Sequence, residues 1–151
     1  MACDDDESRR GSRYAAIVAA LARPADIRAL PLTTLHTIMA MRLGALFERA
    51  GRDPIAELTQ RLRSVTAAMA MLRLTEEVVR CWPDRFVVNR PCCLAMSPDE
   101  RTLAAMSRAA ASGDRDGFRR GLAGYVPADR HETLFAAAVE AVAALQTGAR
   151  C

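Results

Sequence analysis

The chain has 151 residues, of which 51% are hydrophobic and only 5% aromatic, and its formal net charge is +3. This length fits one domain with its own hydrophobic core. The 21 basic residues are all arginine and face 18 acidic ones, which excludes a strongly basic field over the whole molecule. Abundant Ala and Leu favour helices over strands, so the predicted fold class is all-α.

The N-terminal part begins with an acidic stretch, residues 1–8, which we expect to be a disordered tail because like charges repel and nothing apolar anchors them. A first helix is predicted from Arg9 or Arg10 to Ala22. A second helix is predicted from about residue 33 to residue 50, where Gly51 follows and ends it.

A third helix is predicted to begin at Asp53, which can cap it, with Pro54 at its first position. Apolar residues then recur at alternating spacings of three and four, which is typical of a narrow heptad seam. We predict that this seam is an interaction surface and that it ends near residue 75, because Glu76 occupies its next position. The seam consists of Ile55, Leu58, Leu62, Val65, Met69 and Leu72.

The segment from about residue 81 to residue 96 is the part of the chain that lacks a helical pattern. It contains three of the five cysteines and the only tryptophan, Trp82, and two prolines interrupt it. The run Phe86–Val88 favours an extended conformation. We expect an extended connection there, with a short strand as the alternative.

The second half of the chain opens with a strong helix start. Ser97 and Glu100 have the spacing of a capping box, and Pro98 stands at the first helical position. This helix is expected to end at Gly113. A short helix follows, and Pro127 is predicted to open the last helix.

The predicted architecture is a single-domain bundle of five or six helices over residues 9–147, with one irregular central segment. The acidic start does not resemble a secretory leader, and an odd number of cysteines favours free thiols in a reducing cytoplasm. The longest charge-free run through the middle, residues 29–41, is too short to cross a bilayer, so no membrane contact is expected.

Cys81, Cys92 and Cys93 are the candidates for a thiol-based metal or redox site. Zinc ligands are usually two to four residues apart, whereas two of these cysteines are adjacent and the third lies well upstream. A site for zinc or iron would need the segment to fold back, with His36 or His131 as a fourth ligand. Unpaired cysteine is commonly buried. The favoured interpretation is therefore a packing role, and no cofactor is expected.

Three arginines in the same region, Arg80, Arg85 and Arg90, could hold an anion. Acidic residues nearby, among them Glu76 four positions before Arg80, favour ordinary solvated ion pairs instead.

The two histidines do not indicate catalysis. His36 lies in an apolar stretch and is predicted to be a core or boundary residue, and His131 is predicted to lie on the surface. No nucleophile and base have the spacing of a known catalytic motif, so an enzyme is not favoured.

The stretch Arg90-Pro91-Cys92-Cys93, followed by Met96-Ser97-Pro98-Asp99-Glu100 and an Ala-rich last helix, resembles a family of small uncharacterised bacterial proteins. In that family a Pro-Cys-Cys element precedes a helix with an acidic cap. The family has no assigned activity, so the resemblance implies a helical fold type and no chemistry.

Three functions compete at this point. The first is protein–protein interaction, most simply self-association into a homodimer through the predicted seam. The second is a thiol-based metal-binding or redox-sensing role. The third is a DNA-binding regulator, because the two predicted helices on either side of Gly51 have the order of a helix-turn-helix motif. The helix after that turn is too long for a compact recognition helix, however. We expect an interaction protein, without nucleic acid as a partner.

Overall fold

The computed structural model describes residues 25–148, and this part of the chain is all-α, which confirms the predicted fold class. No helix in residues 25–148 combines the length and the apolar character needed to cross a membrane. The predicted acidic tail and first helix lie outside the described residues. The six α-helices of the described part are α1 Leu32–Arg49, α2 Ile55–Leu62, α3 Val65–Cys81, α4 Pro98–Ser112, α5 Arg115–Leu122 and α6 His131–Gly148.

The centre of the bundle is the antiparallel pair of α3 and α6. Ser64, just before α3, lies against Gly148 at the end of α6, and Arg73 in the middle of α3 forms an ion pair with Glu140. Both helices bury several small residues, which allow close packing in the core. The small buried residues on these two helices are Ala67, Ala68, Ala70, Ala138 and Ala141.

The predicted third helix is in fact two helices, so the prediction of one continuous helix was wrong. Arg63 adopts the left-handed conformation, with φ of 52°, and ends α2. Ser64 then caps α3, because its hydroxyl accepts a hydrogen bond from the backbone N–H of Ala67 at 3.1 Å. Local capping therefore outweighs a continuous apolar spacing.

Other predicted helix ends agree with the structure. The capping box is confirmed: Ser97 Oγ accepts from the N–H of Glu100 at 3.1 Å, and Glu100 Oε2 accepts from the N–H of Ser97 at 2.8 Å. Gly51 and Gly113 follow α1 and α4 with positive φ. The last helix begins later than predicted, because a 3₁₀ turn, Ala128–Arg130, precedes it.

Residues 82–97, called the central segment below, connect α3 to α4 without helical structure. The run Phe86–Val88 is not paired in a sheet, so the prediction of an extended connection is confirmed. The segment is tied to the start of the described chain, where Ile27 N–H donates to the Leu94 carbonyl at 2.9 Å and Met96 N–H donates to the Ala25 carbonyl at 2.9 Å.

Candidate functional site

The central segment is built around a buried ion pair between α1 and α4. The side chains of Arg42 and Glu100 are both wholly inaccessible to solvent. Arg42 Nε donates to Glu100 Oε1 at 2.7 Å, and Arg42 Nη2 donates to Glu100 Oε2 at 2.9 Å. Two parallel bonds of this kind fix both the distance and the relative orientation of the two side chains.

The other guanidinium protons bind backbone carbonyls of the central segment. Arg42 Nη1 donates to the Cys93 carbonyl at 2.5 Å and to the Arg90 carbonyl at 3.3 Å. Arg42 Nη2 donates to the Ala95 carbonyl at 2.8 Å. All five N–H groups of the guanidinium thus have an acceptor, which a buried arginine requires because an unpaired buried charge is strongly destabilising.

The carboxylate of Glu100 is equally well satisfied. Besides Arg42, Oε1 accepts from the Asn89 N–H at 3.0 Å, and Oε2 accepts from the Ser97 N–H. The pair therefore holds the second half of the central segment from two sides. It acts on the path of the backbone, not on any side chain of the segment.

Asp99, next to this glutamate, anchors the first half of the segment. Its Oδ2 accepts from the Val87 N–H at 2.7 Å, and its Oδ1 accepts from Trp82 Nε1 at 3.1 Å and from Tyr125 Oη at 2.9 Å. The Trp82 ring packs edge-on against Phe86 and Tyr125, with centroids 4.8 and 5.1 Å apart. Burial raises the pKa of Tyr125, and the bond to Asp99 raises it further.

The three cysteines occupy different environments. Cys81 ends α3 and is buried, and this burial raises the pKa of its thiol, with the nearby Glu77 carboxylate adding to the effect. Cys92 is exposed in a turn of the central segment, and Cys93 is half-buried. Among the described residues no three His, Cys, Asp or Glu side chains are arranged to hold a metal ion. A zinc or iron site at these cysteines stays a prediction.

Of the two predictions for the histidines, the one for His36 agrees with the structure and the one for His131 does not. His36 is half-buried, in agreement with a boundary position. The prediction of a surface His131 was wrong, because the 3₁₀ turn before α6 directs the ring inward, where Nε2 lies 2.8 Å from the Val126 carbonyl oxygen.

The three arginines of the region also separate. Arg80 pairs with Glu77 at 2.5 Å, three residues away, and not with the predicted Glu76. Arg85 and Arg90 are exposed. Arg85 and Arg90 lie apart from each other along the central segment. The exposed ion pair of Arg80 in α3 agrees with the expected surface role.

The predicted seam does not form one surface. Leu58 is buried in the core, and Ile55, Leu62 and Leu72 are half-buried. On α3, in contrast, Val65 is 60% exposed and Met69 is 38% exposed. Directly after the break at Arg63 the seam therefore faces solvent at Val65 and Met69, and it turns toward the core again only at Leu72.

A groove runs between α1 and α3 and ends at the central segment; we call it the α1–α3 groove. It consists of two adjoining cavities of about 400 and 570 Å³, which share Glu48, Thr75 and Val79. Val79 is 63% exposed there. The other apolar residues that line it are Met41, Ala45, Pro54, Leu72, Phe86 and Val88.

The edges of the groove carry charges of both signs. Three acidic side chains, Glu48, Glu76 and Asp84, lie among the arginines. The arginines are Arg49, Arg52, Arg80 and Arg85. The groove thus has a largely apolar floor and a rim of mixed charge.

Sequence reasoning missed the buried pair, although the chain contains a signal for it. Arg42 is the only charged residue between positions 29 and 47, within a helix whose other residues are mostly apolar. A single arginine in such a stretch is expected to be buried, and a buried arginine needs a carboxylate. The sequence alone does not say which of the 18 acidic residues supplies it.

Comparison with protein-family models, with curated proteins and with solved structures finds no significant match to this chain. The resemblance to proteins with a Pro-Cys-Cys element therefore stays a prediction, and the function has to be argued from the residues themselves.

Proposed function

We propose that this protein acts by self-association, and that the α1–α3 groove is the contact surface between two copies. The observation that carries this proposal is the combination, in one groove, of an exposed Val79 above half-buried apolar side chains with charged residues of both signs. The proposal retains the predicted function and moves its surface from the broken seam to the groove.

The apolar part of the groove supplies the driving force. Val79 projects from α3 with most of its side chain exposed, while Phe86 and Val88 reach the groove from the central segment. Single exposed apolar residues are common on protein surfaces, but a continuous apolar groove with a polar rim is typical of an interaction site. Covering the groove would remove this apolar surface from water, which stabilises the complex by about 25 cal/mol for each Å² buried.

The charges on the rim favour a second copy as the occupant. A two-fold contact pairs a patch with itself, so the patch must carry groups that attract one another. Glu48 and Glu76 on one protomer can face Arg49, Arg52 or Arg85 on the other, because acids and arginines both line the groove. A DNA duplex would instead favour a rim that is basic throughout.

The test is the oligomeric state of the full chain, measured by sedimentation equilibrium over a range of protein concentrations. Wild type is expected to form a dimer. Val79→Asp places a charge in the apolar centre of the contact and should weaken dimerisation by about 2 kcal/mol, or roughly thirtyfold in Kd.

Val65→Asp is the matched control. Val65 lies on the same helix and is 60% exposed against 63% for Val79, but it does not line the groove. Its substitution should leave the dimer intact. Disruption by Val65→Asp alone would return the contact to the predicted seam, and a wild type that stays monomeric at all concentrations would overturn self-association.

A further inference from the structure

We infer that Cys92 and Cys93 form a peroxide-reactive dithiol, in which Cys92 is oxidised first and Cys93 then closes a reversible disulfide. This modification site goes beyond the proposed self-association and does not depend on it. Three features of the central segment carry the inference: the exposure of Cys92, the turn that carries the two adjacent cysteines, and the buried arginine that binds the Cys93 carbonyl.

Packing accounts for Cys81 but not for Cys92. Unpaired cysteines behave as small hydrophobic residues and are usually buried, as Cys81 is. Cys92 is exposed, and Cys93 beside it is half-buried. An accessible thiol next to a second thiol is the arrangement found in cysteines that respond to oxidants, because the neighbour resolves the first oxidation product.

A tight turn presents the pair. The N–H of Cys93 donates to the Arg90 carbonyl at 2.9 Å, and Pro91 occupies the second position of this four-residue turn, where proline fixes a suitable φ. Cys92 therefore stands at the tip of the turn, open to a small oxidant. Cys93 is only one peptide bond away, so the resolving thiol is always close to it.

The chemistry needs only hydrogen peroxide as the oxidant. The Cys92 thiolate attacks one peroxide oxygen, the O–O bond breaks, and a sulfenic acid and a hydroxide are formed. The hydroxide takes up the proton that the thiol lost on ionisation and becomes one water. The Cys93 thiolate then attacks the sulfenic sulfur and displaces its oxygen as a second water once a proton is added. Overall, two thiols and one hydrogen peroxide give one disulfide and two waters.

The buried Arg42 makes this disulfide easy to reduce again. Closing the ring brings the sulfurs to about 2.05 Å, although neighbouring side chains normally point apart, so the backbone of the turn must rotate. That rotation acts against the contact between the Cys93 carbonyl and Arg42 Nη1 at 2.5 Å. Strained and exposed disulfides are the labile ones, so a thiol reductant should restore the dithiol readily.

The test is peptide mapping of the full chain after brief peroxide treatment, followed by alkylation of the remaining thiols. In the wild type, the fragment that contains Cys92 and Cys93 should carry no alkyl label and should be lighter than the reduced, unlabelled fragment by two hydrogen atoms. After treatment with a thiol reductant, both cysteines should again be alkylated. Cys93→Ser should instead leave a sulfenic acid on Cys92, which dimedone traps. Cys92→Ser should slow peroxide oxidation of Cys93 by about tenfold or more, because Cys93 is less accessible.

Cys81→Ser is the matched control and should react like the wild type. The inference is overturned if both thiols of the wild type remain alkylatable after peroxide, if Cys92 pairs with Cys3, Cys151 or another molecule, or if Cys92→Ser is oxidised as fast as the wild type. If a variant loses its helical circular dichroism, the inference is tested instead by the order of alkylation in the reduced wild type. Cys92 must be labelled before Cys93, and the reverse order would overturn the inference.

Discussion

The α3–α6 pair and the central segment are held in place by opposite means. Both helices carry small apolar residues in the core, among them Ala68 and Ala141, neither of which is exposed to solvent. In the central segment, backbone carbonyls accept hydrogen bonds from Arg42, and backbone N–H groups donate to Glu100. The first arrangement distributes stability over many weak contacts, whereas the second concentrates it in a few polar side chains, with the buried pair at its centre. Single substitutions should therefore affect the two regions very differently.

The largest effect is expected from Arg42→Met. This change leaves the Glu100 carboxylate buried without its partner and removes the donors to three carbonyls of the central segment. Breaking a buried pair in this way should lower the free energy of unfolding by about 3–5 kcal/mol. Urea denaturation followed by circular dichroism measures it.

Arg73→Met is the control for this substitution, because Arg73 forms an exposed ion pair with Glu140 between α3 and α6. Its cost should stay below about 1 kcal/mol. If the two substitutions cost the same, the buried pair does not carry the stability of the central segment.

A smaller effect is expected from Ala68→Leu in α3. Ala68 is fully buried, and the larger side chain has no free space, which should cost about 1–3 kcal/mol. Ala105→Leu, on the exposed side of α4, adds the same atoms without a neighbour to displace. Its thermal midpoint should hardly change, and equal losses at both positions would contradict close packing around Ala68.

The smallest effect is a loss of stability at alkaline pH. Burial raises the pKa of both Tyr125 and Cys81, so each proton is held more tightly in the folded than in the unfolded chain. The stability linked to these protons is complete below the unfolded pKa values and is lost as the pH rises through the folded ones. The chain has no lysine, which leaves few other groups to titrate in this range.

Thermal midpoints measured from neutral to alkaline pH should therefore fall less steeply in Tyr125→Phe and in Cys81→Ser than in the wild type. An unchanged slope in both variants would assign the alkaline loss to other groups.

The sequence predicts the helices of this bundle well where a local pattern controls the ends. The capping box at Ser97 and the glycine after α1 need only neighbouring residues, and both were predicted. The break between α2 and α3 was missed because Arg63 and Ser64 interrupt a spacing that otherwise continues. His131 was misplaced because its direction depends on a 3₁₀ turn that the sequence pattern does not indicate.

The candidate sites were less predictable because they depend on contacts between distant parts of the chain. The path of the central segment follows from Arg42, about 50 residues upstream of the carbonyls that it binds. The α1–α3 groove likewise combines residues of two helices and the central segment. The cysteines could be identified as candidates from the sequence, but their exposure could not.

The position of Trp82 gives the protein a built-in optical probe. The only tryptophan of the chain begins the central segment, donates to Asp99 and packs against Phe86 and Tyr125, while the helices dominate the far-ultraviolet signal. Release of the segment alone should shift the fluorescence emission to longer wavelengths before any helical signal is lost. A fluorescence spectrum and a circular dichroism spectrum of one sample can thus distinguish detachment of the central segment from unfolding of the helices.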